Sequence, residues 1–153
     1  MSIVPLGWNE HSAYVVSERA YLLHTEGHYR ESLALFEGLL EIYPDNLYYR
    51  DAISALHLSL GNPEEAIRQA SHVITSAPTY TNAFVRRCEG YLLLGMSEEA
   101  KRDVDRLKEL QAYVAALRME MRLTAVRRMR REQINSSGKN LTFDTQLQSA
   151  DRR

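Results

Sequence analysis

Cysteine is almost absent from this chain of 153 residues: Cys88 stands alone, so no disulfide can close within it, and a reducing compartment suits it. Long apolar runs are missing as well. Stretches such as 91–94 fall far short of the roughly 20 apolar residues that a membrane-spanning helix needs. The segment Met1–Trp8 lacks both the basic and the apolar region of a secretory signal, and a cytoplasmic protein is expected. Lysine is scarce, 3 against 16 arginines. The net charge of −1 conceals an imbalance: residues 1–111 carry 10 basic and 16 acidic groups, so −6, whereas residues 112–153 carry 9 and 4, so +5. An acidic body with a basic C-terminal segment points to a charged partner surface or to internal complementarity.

Proline and glycine are few, 4 and 7, but their placing is informative. Gly27, Gly61 and Gly95 recur every 34 residues, and so do Ser32, Ala66 and Ala100, then Leu39, Val73 and Leu107; Pro44 and Pro78 share that spacing. The segment Leu47–Tyr80 is one complete unit. Its first half holds good helix formers up to the break at Gly61-Asn62-Pro63. Glu64 and Glu65 then open a second helix at its positive end, and Ala77-Pro78 stops it. The chain therefore divides into an N-terminal arm (1–12), three helix–turn–helix units (13–46, 47–80 and 81–114), a basic amphipathic helix (115–134) and a polar, disordered tail (135–153). Trp8, the only tryptophan, is expected to pack on the first helix pair; exchange of the arm into a neighbouring copy is the alternative.

The third unit ends differently, since Ala112 stands where Pro44 and Pro78 stood. Leu107, Leu110, Val114, Leu117 and Met121 follow a 3, 4, 3, 4 spacing, as in a coiled-coil seam. Two structures fit. The chain bends near 111–113 and folds back as a capping helix, the expected outcome. Otherwise 97–134 is one rod of about 57 Å, with a seam that needs a homodimer or hetero-oligomer partner through 104–131.

With these residues, 13–114 resembles the tetratricopeptide repeat family. The resemblance implies an all-α, right-handed superhelix of three repeats plus a C-terminal helix, which binds extended or helical peptides along a groove lined by the first helix of each repeat. The groove-facing positions would be Tyr14, Ser17, Tyr21 and His24, then Tyr48, Asp51, Ala55 and Leu58, then Asn82, Val85, Glu89 and Leu92. That lining is aromatic and aliphatic with acidic groups and almost no base. The subgroup that clamps acidic chaperone tails needs cationic and amide side chains there, which Ser17, Tyr21, Asp51 and Ala55 do not supply. An apolar or amphipathic partner segment fits better. Among small proteins of this design, the type III secretion chaperones of bacteria are the specific resemblance. A structural or adaptor subunit of a larger assembly is the alternative.

Catalysis finds little support. His24 and His28 have chelating spacing, but Gly27 between them ends the helix and no third ligand is apparent. Cys88 occupies a small-residue site between helices, which suits an inert buried thiol. No phosphate-binding glycine loop or nucleophile elbow is present, so neither an enzyme, a cofactor nor a metal is expected. Arg118, Arg122, Arg127, Arg128, Arg130 and Arg131 form the one basic patch, suited to an acidic partner or to a solvated helix end. Nucleic acid is disfavoured, because the acidic body repels phosphate.

Overall fold

In the computed structural model, the backbone is described for residues 7–150 and the side chains for residues 7–136. Among the described residues seven helices follow one another: α1 (Glu10–Thr25), α2 (Tyr29–Ile42), α3 (Leu47–Ser59), α4 (Pro63–Ser76), α5 (Thr81–Leu93), α6 (Ser97–Glu109) and α7 (Tyr113–Ala150). Each packs on the next, so α1–α6 form three antiparallel pairs stacked in chain order. This is an all-α superhelical repeat fold.

The recurring glycines set the turn within each pair. Gly27, Gly61 and Gly95 have φ of 86°, 77° and 71°, a region glycine enters without steric cost. Around each, the same two bonds close the helix. At Gly95, for example, its N–H meets the Leu92 carbonyl at 3.2 Å and the Met96 N–H meets Tyr91 at 2.8 Å. Between pairs the chain turns differently. Tyr43 and Ala77, each before a proline, take extended-side ψ values of 71° and 84°. Asn46 then caps α3, its side chain accepting from the Tyr49 N–H at 3.1 Å.

Small residues at the crossing point of each pair bring the helices close enough for side chain to meet backbone. Ser32 Oγ donates to the Ala20 carbonyl at 2.7 Å, Ser54 Oγ to Ala66 at 2.8 Å, and Cys88 Sγ to Ala100 at 3.6 Å. All six are fully buried. Around these crossings lie two main apolar clusters. One joins Phe36 and Leu39 on α2 with Tyr49, Ile53 and Leu56 on α3, and Trp8 packs on it, donating from Nε1 to the Tyr43 hydroxyl at 3.1 Å. The other joins Phe84, Val104, Leu107, Met119 and Leu123. The expected packing of Trp8 on the first pair is thus present; residues 1–6 of the arm lie outside the described residues.

α7 settles the choice between rod and cap. The chain bends between Glu109 and Tyr113, where Gln111 has φ 60°. Its N–H bonds the Lys108 carbonyl at 3.0 Å and the Ala112 N–H bonds Leu107 at 2.9 Å, the same closure seen at the three glycines. α7 then folds back over α5 and α6. The proposed seam is therefore split. Leu107 is fully buried and Leu110 packs on the same core, while Val114, Leu117 and Met121 face solvent. Val104 and Leu107 are interior to the molecule, so the apolar side chains of 104–131 open to an interface are those on the outward side of α7, Val114, Leu117 and Met121 among them. α7 also runs on to Ala150, past Ile134 where the sequence reading ended the helix. Between Tyr113 and Ala150 there is no proline, and a lone glycine costs only about 1 kcal/mol, too little to stop a helix. Residues 151–153 lie outside the described residues.

Gln111 carries a left-handed backbone without glycine's freedom. Gln111→Gly is expected to stabilise the chain by roughly 0.5–1 kcal/mol, allowing for the extra freedom it gives the unfolded state. A rise in the urea midpoint without a change in slope would check this.

Candidate functional site

The first helices α1, α3 and α5 line one face of the stack, and their spacing along it is uneven. α3 packs on α5 and α5 on α7, whereas α1 and α3 stand apart. A cleft of about 400 Å³ opens between them. Tyr14 and Ser17 line it from α1, Tyr48 and Tyr49 from α3, and Glu10, Ala13, Tyr43 and Asn46 complete the wall. The rings are held by one another: Tyr48 lies 6.3 Å from Phe36 and 5.9 Å from Tyr49, both edge to face. Tyr14, Tyr21 and Tyr48 nevertheless leave half or more of their surface exposed. Burial raises the Tyr48 hydroxyl above its ordinary range, and the Glu18 carboxylate adds to the rise.

Deeper in the face is a polar pair. Asp51 is only 6% exposed, and the nearest cation, Arg86 on α5, is 3.8 Å away. Asp51 Oδ1 and Arg86 Nε both lack a hydrogen-bond partner among the described residues. Burial pushes the Asp51 carboxyl up, and Arg86 opposes the rise. His24 is held below its usual value, first by burial and then by Arg86, both of which favour the neutral imidazole. The sequence reading missed Arg86, which stands four residues after the groove position Asn82, one helical turn along the same side.

The pair has a consequence for stability. A raised carboxyl pKa means that the ionised form weakens the fold, so the penalty is present at neutral pH and disappears as pH falls through the raised value. Arg86→Gln removes the only counter-charge identified for Asp51. It is expected to cost about 1 kcal/mol at pH 7.5 and progressively less towards pH 4, as Asp51 protonates in the folded state. Urea titrations at several pH values would read this directly.

The far end of the face is closed rather than open. Val85 and Leu92 are 3% and 7% exposed, covered in the core shared with Met119 and Leu123 of α7. Glu89 is engaged by Arg122 of α7. These three expected groove residues are therefore not free contact positions in this conformation, because the folded-back helix occupies their side of α5. Leu58 and His24 are half-buried, and Asn82 is exposed. The accessible part of the expected lining is Tyr14, Ser17, Tyr21, His24, Tyr48, Leu58 and Asn82.

The basic patch is divided in the same way. Arg122 pairs with Glu89 on α5, and Arg127 with Glu98 on α6 at 2.7 Å. Arg130 reaches the Gly95 carbonyl at 3.3 Å, and Arg128 pairs along the helix with Glu132. The contacts of Arg122, Arg127 and Arg130 fasten α7 to the body, the internal complementarity that the charge imbalance allowed for. For Arg118 and Arg131 no ion pair is found among the described residues.

The groups considered for chemistry do not converge. His24 meets Tyr29 with its ring tilted by 60° and ring centroids 5.6 Å apart, while His28 lies 3.1 Å from Glu31. Burial pushes the Cys88 thiol up to about 12, which leaves little thiolate near neutral pH. Among the described residues no group of three or more His, Cys, Asp or Glu could hold a metal, and no helix is long and apolar enough to cross a membrane.

No family model matches the chain. Among curated proteins it is 28% identical over 111 residues to the TPR repeat-containing thioredoxin TTL4 of Arabidopsis thaliana, covering 65% of this chain and 16% of that protein. It is 32% identical over 106 residues to the DnaJ homolog subfamily C member 7 homolog of Schizosaccharomyces pombe, covering 65% and 22%. The chain thus spans less than a quarter of the length of these relatives. Among solved structures it is similar to PcrH in complex with the chaperone binding region of PopD, with a TM-score of 0.72 at 19% identity, covering 81% of this chain and 97% of that one. It is similar also to the first TPR of Spaghetti (RPAP3) bound to the HSP90 peptide SRMEEVD, with a TM-score of 0.68 at 21% identity, covering 80% and 98%.

Proposed function

We propose, from the premise that this chain is a tetratricopeptide repeat protein, that it is a non-catalytic module which binds an apolar or amphipathic segment of a partner protein along α1 and α3. The observation that carries this reading is the tyrosine cleft. It is concave, its rings are braced by Phe36 and by each other, and its hydroxyls leave polar atoms at the rim. Such a site takes a large apolar side chain as an anchor, and the flanking hydroxyls accept or donate to the segment's polar groups. One well-buried anchor contributes about 1.5–3 kcal/mol before ordering costs.

Charge sets the preference. Glu10 lines the cleft, and Glu18 and Asp51 act on Tyr48, so the open end of the face favours a segment carrying a basic residue over an acidic tail. Arg86 is directed to Asp51 and leaves no pair of cations to clamp two carboxylates. Within this reading, the likeness to PcrH with a bound region of PopD favours a chaperone that shields an export substrate, as the type III secretion chaperones do. The likeness to RPAP3 with an acidic peptide favours that role less, for the reason of charge.

Titration of the peptide SRMEEVD against the chain by calorimetry separates the two. No heat of binding at up to about millimolar peptide is expected. A Kd in the micromolar range would overturn the charge argument. Co-purification from the native host then tests the groove itself. One abundant partner retained by the wild type and lost by Tyr14→Asp with Tyr48→Asp is the expected result, and retention by that variant would refute the proposal.

A further inference from the structure

We infer that copies of this chain associate head to tail, the outward side of α7 on one copy packing against the outward side of α1 on the next. The two ends of the stack are both unfinished. A helical repeat array normally closes with a polar outer face on its last helix. α7 does not: Val114, Leu117 and Met121, spaced three and four apart and therefore on one stripe, are 86%, 60% and 67% exposed. The stripe faces away from Ala116, Met119 and Leu123, which hold α7 to the body. At the other end, Val15 and Leu22 on α1 are about half exposed, two turns apart on the side opposite Ala13 and Ala20. Neither belongs to the tyrosine cleft.

Charge decides which surfaces meet. Residues 10–46 carry 2 basic and 7 acidic groups, so −5, while residues 112–136 carry 6 and 2, so +4. Glu18 and Arg19 flank the Val15–Leu22 stripe on α1, and Arg118 follows Leu117 on α7 with no ion pair found among the described residues. An α1–α7 contact therefore sets apolar against apolar, and the acidic first helix pair against the basic helix α7. A two-fold contact of α7 with its own copy would instead place Arg118 and Arg128 against the same basic helix, a like-charge arrangement that weakens it. The head-to-tail contact is heterologous, so it leaves a free α7 and a free α1 at the two ends and continues beyond a dimer.

The test uses two variants of the full chain. Val15→Lys with Leu22→Lys blocks the α1 end, and Leu117→Lys with Met121→Lys blocks the α7 end; all four positions are exposed, so circular dichroism should be unchanged. Light scattering of the wild type should give a mass that rises with concentration past that of a dimer and falls back as salt is raised. Each variant alone should be a monomer. An equimolar mixture should stop at twice the monomer mass, since the intact α7 of one meets the intact α1 of the other. A wild type that stays monomeric at high concentration would overturn the inference. So would self-association of the α1-blocked variant alone, which would instead indicate a two-fold α7 interface.

Discussion

Arg87→Ala is expected to lower stability by about 3–5 kcal/mol, although Arg87 does not line the tyrosine cleft. Its guanidinium forks onto Asp103 of α6, with Nη2 at 2.6 Å from one carboxylate oxygen and Nε at 2.9 Å from the other. It also lies 5.6 Å from the Phe84 ring centroid and 5.9 Å from that of Tyr91. Asp103 is almost wholly buried, and burial keeps its carboxyl above the usual range despite the guanidinium. The pair therefore contributes little net stability when intact, but removing the cation strands a carboxylate inside α5–α6. A fall in melting temperature of roughly 10 °C would follow for a chain of this size. Replacing both partners by apolar residues, Arg87→Met with Asp103→Leu, should recover most of the loss, because neither charge then remains to be desolvated. Hydrogen exchange should place the single variant's lost protection in α5–α7 and leave α1–α2 largely protected, as neighbour-only coupling in a stacked array requires.

Tyr48→Asp carries the second large effect, on binding rather than folding. The residue is half exposed, so its replacement leaves the core of Phe36 and Tyr49 in place and helicity near that of the wild type. In the cleft, however, it removes an aromatic wall and adds a carboxylate beside Glu18 and Asp51. Loss of an aromatic anchor site at the centre of an interface costs at least about 2 kcal/mol, some 30-fold in affinity. Calorimetry with the purified partner should show this loss, while the unfolding free energy falls only by the lost edge-to-face contacts, roughly 1 kcal/mol. Leu92→Asp is not a comparable probe: with Leu92 packed against the α7 core, a carboxylate there would unfold the third pair before it tested any groove contact.

These contrasts mark where the sequence was legible. Gly27, Gly61 and Gly95 were readable as turns because each sits at a left-handed backbone that glycine tolerates best. Gln111 takes the same conformation, yet no glycine signals it; its turn is driven by burial of Leu107 and Met119 on either side. Tyr14, Tyr21 and Tyr48, expected on the groove face, leave half or more of their surface exposed. Val85 and Leu92 follow the same register and are covered, because what lies over α5 depends on the return path of α7 and not on any local pattern. Arg86 escaped for a related reason. Its position on α5 became meaningful only once the buried Asp51 of α3 was placed beside it. The cleft itself is a gap between two repeats whose spacings in the chain are identical, so periodicity had no means to reveal it.

The central claim is that a partner segment lies along α1 and α3, and site-specific crosslinking in the native host tests it most directly. A photoreactive residue placed at Tyr48 should yield one dominant adduct with a partner protein, while the same residue at His72, exposed on α4, should yield none. Equal adducts from both positions, or an adduct from His72 alone, would contradict the groove and place the interaction on the outer helices.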